Sequence, residues 1–318
     1  MISFIIIAKN EAKKLKYTFD AVSSYIKHNS INHYEIIFID SNSTDNSIEI
    51  ASNYPVIKIF KILGRHNAAL ARQIGAKEAS GDYLFFIDGD MEIQSSFHHK
   101  IIGKHGNIKY DLVSGHIYNK IYDKEFVNII DKKPYYKNLT QDRIELTFGG
   151  TFIVKKSVWN LINGMRTEFK FGEDLDFSLR LAKIGIRLLR KKDLLAYHHT
   201  YSKSDNLILS LSKLGAFYSR GMLYRKNFFN SKIIIKILKS DPTVLILILS
   251  LILSIVTKNY YLLIFYFITV FFISSIIVKK TRKIIIRFIY QFFRDLQVIF
   301  SFLFFYPRKL KKNYIKIN

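Results

Sequence analysis

Gly81-Asp82-Tyr83-Leu84-Phe85-Phe86-Ile87-Asp88-Gly89-Asp90 is the stretch whose reading decides the fold. A short apolar run stops abruptly at two carboxylates separated by one glycine. Aromatic and β-branched residues packed into so few positions predict a buried strand. In open α/β sheets, ligands bind outside the carboxyl ends of the strands, and Asp88 and Asp90 fall at that edge. Strand side chains alternate between faces, so residues two apart can point the same way. Paired carboxylates are hard oxygen donors suited to Mg²⁺ or Mn²⁺, and such an ion can in turn hold a diphosphate. The competing reading is a solvated Asp-Gly-Asp turn, and the surrounding chain must separate the two.

Upstream, residues 2–8 predict a first buried strand. Lys9-Asn10-Glu11 then opens a helix, with Leu15, Phe19, Val22 and Ile26 at helical spacing. Residues 34–39 predict a second strand, closed by Asp40-Ser41-Asn42-Ser43-Thr44-Asp45, a loop rich in N-cap residues that leads into a short helix over 46–53. A third strand over 56–62 and an alanine-rich helix ended by Ser80-Gly81 lead back to the opening stretch. Strand and helix alternate as in a parallel α/β sheet. Downstream the pattern is looser. Residues 111–122 predict a strand pair or a crossover strand, and 128–147 a surface helix or loop. Residues 148–154 read as a strand after a glycine pair, and a helix begins at Gly172-Glu173-Asp174 with acidic residues in its first turn, where the helix dipole favours them. Two short strands, around 186–190 and 194–198, close a domain over 1–204. Trp159, Met91 and Met165 are expected in its core.

The remainder differs in character. Residues 205–241 mix apolar side chains with Lys and Arg, as amphipathic helices at a membrane surface do. Ser240-Asp241-Pro242 is a helix start, and 242–278 is expected to form an apolar hairpin that spans or deeply enters a bilayer. Residues 279–318 are expected to hold an amphipathic helix, either interfacial or a further span, and a basic tail. Basic residues crowd both outer flanks of the hairpin, which places the N-terminal domain on the cytoplasmic side of a bacterial inner membrane. The whole chain of 318 residues carries a net charge of +24 and a mean hydropathy of +0.09. Such charge calls for a polyanionic partner, but the basic residues stand beside hydrophobic helices, which argues for lipid or phosphorylated substrates and against nucleic acid. With no cysteine, disulfides, thiolate metal sites and a cysteine nucleophile are excluded.

The loop edges of the expected sheet gather Glu11, Asp40, Asp88, Asp90, Glu173 and Asp174, with Arg72 among them. Holding a diphosphate there requires a cation, while a separate carboxylate at a helix start can take a proton from a hydroxyl. No P-loop, dinucleotide-binding glycine fingerprint or nucleophile elbow is present. FIIIAKNEAKKL, FIDSNSTDNS, NAALARQIGAKEASGDYLFFIDGDMEI, GGTFIVKKSVWNLINGM and GEDLDFSLRLAKIG, in that order over residues 2–199, resemble the inverting family 2 glycosyltransferases of the GT-A fold. The resemblance implies an α/β fold with a Rossmann-like mixed sheet, and Asp88-Gly89-Asp90 as a DxD motif. It implies nucleotide-sugar contacts at Ala8, Asn10, Glu11, Asp40, Arg72, Asp88, Gly150 and Glu173. It further implies Mg²⁺ or Mn²⁺ on Asp88, Asp90 and His198, and Asp174 as general base. Arg72 is expected to face the nucleotide phosphates. The acceptor follows from the membrane segment: a lipid-linked or membrane-associated glycan, with polyprenyl phosphate as the alternative and Lys213, Arg220, Arg225 and Lys226 as candidate phosphate-holding residues. An inactive membrane scaffold on the same fold is the reading from another class.

Overall fold

The computed structural model describes residues 1–103, 106–136, 139–201, 216–277 and 281–318. The chain divides into two compact units, one of Met1–Ser204 with Lys309–Asn318, the other Asp205–Arg308.

The first unit is a mixed sheet covered by helices on both faces. Its first half alternates as the sequence predicts: β1 (Ile2–Ala8), α1 (Ala12–His28), β2 (Tyr34–Asp40), α2 (Ser47–Ser52), β3 (Ile57–Ile62), α3 (Ala68–Glu78) and β4 (Tyr83–Asp88). There follow β5 (Met91–Ile93), α4 (His98–Ile101), β6 (Leu112–Tyr122), β7 (Ile129–Pro134), β8 (Arg143–Glu145), β9 (Thr151–Lys155), α5 (Lys156–Leu161), α6 (Glu173–Lys183) and β10 (Leu188–Tyr201). β3, β2, β1 and β4 run parallel, and β9 then pairs antiparallel with β4. β6 and β10 lie beyond it, parallel to each other, and β5 pairs antiparallel with β10.

Strand alternation explains how one sheet feeds two cores. Phe85 and Ile87 pack with Leu15, Phe19, Val22 and Tyr25 of α1, whereas Leu84 and Phe86 pack with Leu70 and Ile74 of α3 and with Trp159 and Phe177. Burial on both faces is why β4 reads as a continuous apolar run. Trp159, Met91 and Met165 are core residues, 3%, 3% and 1% exposed.

Three expectations are corrected here. Residues 128–147, expected as surface helix or loop, contribute β7 and β8, which pair with β6 and β10. Their polar character fits strands at the sheet's margin, where one face meets water. The two short strands expected over 186–198 are one strand, β10, with register shifts between Arg190, Leu194 and Ala196. The basic tail does not stay with the helical segment: β11 (Tyr314–Lys316) pairs antiparallel with β3, and Leu310 N donates to Thr167 Oγ1 at 3.0 Å.

The second unit is helical: α7 (Ala216–Lys226), α8 (Ser231–Ser240), α9 (Pro242–Thr257), α10 (Leu262–Ile277) and α11 (Thr281–Phe304). α9 and α10 have 16 residues each, about 24 Å of helix. No single described helix is long and apolar enough to cross a membrane; α8 and α9 pass that test as a pair bent by 94°. Asp241, fully buried where α8 meets α9, accepts from Arg220 and Arg294 at 2.8 Å each and from the Tyr224 hydroxyl. Asp295, also fully buried, accepts from Gln291 and Tyr266 at 2.9 and 3.1 Å. Arg225 donates to the carbonyls of Ser301, Phe302 and Phe305 and lies 3.8 Å from the Tyr306 ring centroid. Arg220 and Arg225 thus hold helices together, because few other groups in so apolar a unit can satisfy buried polar atoms. Lys213 lies outside the described residues.

Truncating Phe86, fully buried against Phe152 and Trp159 at centroid distances of 4.9 and 4.8 Å, leaves a cavity that its rigid neighbours fill poorly. Phe86→Ala is expected to cost about 3–5 kcal/mol of stability, read from denaturant unfolding of the first unit's tryptophan signal.

Candidate active site

Register creates the site. In the parallel ladder Ala8 stands beside Asp40 and Ile7 beside Asp88, so β1, β2 and β4 end together at one edge. The chain turns at Gly89, whose N–H donates to Ile7 O at 2.8 Å; a Cβ there would stand 2.6 Å from the Ala8 Cβ. Only glycine lets the turn press so closely on β1. β5 then runs antiparallel to β10, setting Met91 opposite His198, and His199 N donates to Asp90 O at 2.9 Å. Residues more than a hundred positions apart are therefore neighbours.

His198 Nε2 lies 3.2 Å from Asp90 Oδ2, and its Nδ1 lies 2.7 Å from Asn119 Oδ1. An amide oxygen only accepts, so the Nδ1 N–H donates to Asn119 and Nε2 faces the Asp90 carboxylate, where a proton or a cation can lie between the two. On the other side of Asp90, Lys14 Nζ is 3.8 Å from Oδ2 and 2.7 Å from Glu11 Oε2. Burial pushes the Glu11 carboxyl above its ordinary value against the pull of Lys14.

Arg72 rises from α3 and is 4% exposed. Its Nη2 meets Asp88 Oδ1 at 2.8 Å and its Nη1 meets Glu173 Oε1 at 3.1 Å. Both terminal nitrogens meet carboxylates, so the guanidinium bridges Asp88 and Glu173 while it also lines the second cavity. Gly150 presses on the same carboxylate. Its φ is +91° and a Cβ would stand 2.4 Å from Asp88 Oδ2. Burial, reinforced by Asp90 and Glu173 and opposed by Arg72, pushes Asp88 up to about 7.

Asp174 lies in the first turn of α6 and accepts from its neighbour Leu175 N at 2.7 Å. Burial and the adjacent Glu173 push it up to about 6, against the pull of the Leu175 amide and Arg72. Such a carboxyl is poised to change protonation near neutral pH.

Two cavities meet at Asp88 and Asp90. One, of about 280 Å³, is lined by Ala8, Lys9, Glu11, Ser41, His66 and Asn67 among others. The other, of about 240 Å³, is lined by Arg72, Tyr135, Gly149, Gly150, Glu173, Asp174 and His198. Ala8 and Glu11 thus belong to the first; Gly150, Glu173 and Asp174 belong to the second. Two expected contacts are not brought to either lining. Asp40 is fully buried, with Oδ2 accepting from Ser43 N at 2.9 Å and Oδ1 buried without a partner. Asn10, at φ 55°, accepts from Thr44 N at 2.9 Å and latches the β1–α1 turn to the loop after β2. Sequence reading missed Lys14, Asn119 and Tyr135. Lys14 was legible as one helical turn beyond Glu11; Asn119 and Tyr135 carry no local signal, because only β6 pairing sets them beside His198.

Fold and site together define a glycosyltransferase on a GT-A-type mixed sheet. The model of Glycosyl transferase family 2 matches residues 3–160, and the chain belongs to that family. It is 26% identical over 260 residues to the dolichyl N-acetyl-alpha-D-glucosaminyl phosphate 3-beta-D-2,3-diacetamido-2,3-dideoxy-beta-D-glucuronosyltransferase of Methanococcus voltae, covering 72% of this chain and 75% of that protein. It is 26% identical over 255 residues to the cholesterol galactosyltransferase of Borreliella burgdorferi, covering 72% and 69%. The crystal structure of GalNAc-T7 with UDP, GalNAc and Mn²⁺ superposes over 70% of this chain and 50% of its own, with a TM-score of 0.50 and 16% identity. That last likeness concerns the fold alone.

Removing the bridge tests its place. Arg72→Met leaves Asp88 and Glu173 facing each other unneutralised and is expected to destabilise the first unit by about 3 kcal/mol or more. Asp88→Asn in the same background should restore part of the loss in a double-mutant cycle of unfolding free energies.

Proposed function

We propose that the protein is a metal-dependent inverting glycosyltransferase that moves a sugar from a nucleoside-diphosphate sugar to a lipid-linked or membrane-associated glycan. The observation that carries this reading is the meeting of two cavities at Asp88 and Asp90, with Asp174 lining only the second. One cavity suits the nucleotide and the other suits the sugar and the incoming hydroxyl, with the leaving diphosphate at their junction.

The donor atoms fit a divalent cation. Ligands at right angles on an octahedral ion, each about 2.1 Å away, stand about 3 Å apart, and Asp90 Oδ2 and His198 Nε2 are 3.2 Å apart. Asn119 fixes the histidine tautomer that such a ligand requires. Among the described residues no group of three or more His, Asp or Glu side chains could hold an ion alone. That is consistent with Mg²⁺ or Mn²⁺, which are commonly shared between one or two carboxylates and substrate phosphates. When bound, the ion supplies positive charge to the departing diphosphate. Asp174 takes the proton of the acceptor hydroxyl as that oxygen attacks the anomeric carbon; the bond to the diphosphate breaks on the opposite side, and configuration inverts. Arg72 holds Asp88 and Glu173 in place without moving a proton.

The relatives' names support a lipid-borne acceptor: one is a glucuronosyltransferase named for a dolichyl N-acetylglucosaminyl phosphate and the other a cholesterol galactosyltransferase. So does the second unit. α9 and α10 leave Leu249, Ile252, Ile255, Val256, Phe265, Ile268, Phe272 and Ile276 exposed, far more apolar surface than a water-soluble face carries. α8 joins α9 at 94° and exposes Ile234, Ile235 and Leu238 on a lysine-bearing helix. This is the shape of an interfacial helix followed by inserted ones. We place the protein at the cytoplasmic face of a bacterial inner membrane on the strength of the basic flanks.

Asp174→Asn is expected to retain donor binding by calorimetry and to lose transfer by about 10³-fold or more, since it removes the proton acceptor. A base acts deprotonated, so kcat/KM of the native chain should rise with pH through about 6 and level off above it. A pH-independent rate between 5 and 7, spanning about 6, would assign the base elsewhere. Asp90→Ala should abolish the difference in UDP-sugar affinity between Mn²⁺ and EDTA; an unchanged Mn²⁺ effect would remove Asp90 from the ion's ligands.

A further inference from the structure

A third cavity, of about 520 Å³, shares no lining residue with the two at the active site. It is formed by Gln73 of α3, the 162–167 loop, Arg180 and Lys183 of α6, and Lys309, Leu310 and Lys312 of the returning tail. Every ionisable group in its lining is basic: Arg166, Arg180, Lys183, Lys309 and Lys312.

The two arginines have structural work. Arg166 pairs with the buried Asp176 at 3.0 Å and Arg180 with the same carboxylate at 2.9 Å. Arg180 also donates to the carbonyls of Ile162 and Gly164 at 2.8 and 2.7 Å. Asp176, with Glu168 also acting on Arg180, offsets these two guanidiniums. The cavity's surplus charge comes from three lysines that pair with no carboxylate among the described residues. Lys183, in the last turn of α6, complements the helix dipole. That account does not extend to Lys309 and Lys312, which the tail carries in from more than a hundred residues away. Thr167 holds the tail here through Leu310, and β11 secures it beyond. Burial and the nearby Lys77 press the Lys312 ammonium below its ordinary value. The fold thus brings three exposed like charges round one cavity, a surplus that an anion there offsets.

We propose that this cavity takes the phosphate of an anionic lipid headgroup. Lysine ammoniums are mobile point charges suited to phosphate. The tail's basic run, Pro307-Arg308-Lys309-Leu310-Lys311-Lys312, follows directly on the apolar helix α11, the pattern by which juxtamembrane segments attract anionic lipid. The headgroup source rests on the membrane reading above; the phosphate chemistry does not. Binding there ties the catalytic unit itself to the lipid surface.

The full chain in a neutral detergent is titrated by calorimetry with a soluble short-chain phosphatidylglycerol, with phosphatidylcholine of equal chain length, and with inorganic phosphate. The native chain should bind phosphatidylglycerol saturably and phosphatidylcholine not at all. Lys183→Gln with Lys312→Gln should weaken that binding by about tenfold or more with an unchanged thermal midpoint, both side chains being exposed. Equal binding by the double variant, or equal binding of the two lipids, overturns the site. Inorganic phosphate binding as tightly as phosphatidylglycerol overturns the lipid source. Flotation of native chain with neutral phosphatidylcholine vesicles reads the membrane proposal separately. If flotation fails while the phosphatidylglycerol difference persists, the membrane reading falls and the headgroup site stands.

Discussion

Carboxylates repel, and this fold collects several of them at one sheet edge. Arg72 is what makes that collection tolerable. Its guanidinium, 4% exposed, joins Asp88 at the end of β4 to Glu173 at the start of α6. The pair of bonds ties the parallel half of the sheet to the helix that carries Asp174. Its planar fork suits two carboxylates on different elements, which the point charge of a lysine would serve less well. Burying such a charge is costly unless it is paired, so the first turn of α6 and the DxD turn are locked in mutual position.

Around this bridge the acidic groups divide by environment. Asp90 stays at the junction of the two cavities, flanked by His198 and by the Lys14–Glu11 pair. Asp174 lines only the second cavity, with its carboxyl raised to about 6. The proposed division of tasks, Asp90 holding a cation and Asp174 receiving a proton, rests on that difference of surroundings. The glycines at 89 and 150 serve the same end, since each lets backbone approach a site where a methyl group would collide.

The helical unit is an insertion in the chain of the catalytic unit, which resumes at Lys309 and ends as an added strand on β3. Asn318 completes the edge by accepting from Ile59 N at 2.8 Å and donating to Ile57 O at 3.1 Å. Capping an edge strand removes a row of unpaired backbone groups. Within the helical unit the polar residues do opposite work from the apolar ones. Asp241, Arg294, Gln291 and Asp295 knit helices internally, and the large apolar side chains face outward.

The sequence by itself determined the alternating half of the sheet, the glycosyltransferase family and the positions of Asp88, Asp90 and Asp174. Those features are local: apolar runs of strand length, helix starts and short motifs are written in neighbouring residues. It also marked His198, through the resemblance, as a partner for the DxD turn, and β5–β10 pairing does bring it to Asp90. What it missed is what distance along the chain conceals. Strands β7 and β8 are polar and short, so their signal was that of a loop, and β6 and β10 supply the pairing that makes them strands. The bridge that Arg72 makes between Asp88 and Glu173 was not legible, because sequence does not show which carboxylates surround a helix face. Arg220 and Arg225 looked like surface charges until helix packing gave them buried carboxylate and carbonyl partners. The tail looked like a basic extension, and only an open edge on β3 made it a strand. Periodicity and motif are one-dimensional and fix each element's kind; tertiary structure decided which charges meet, because ion pairs, registers and cavities depend on residues that the chain holds far apart.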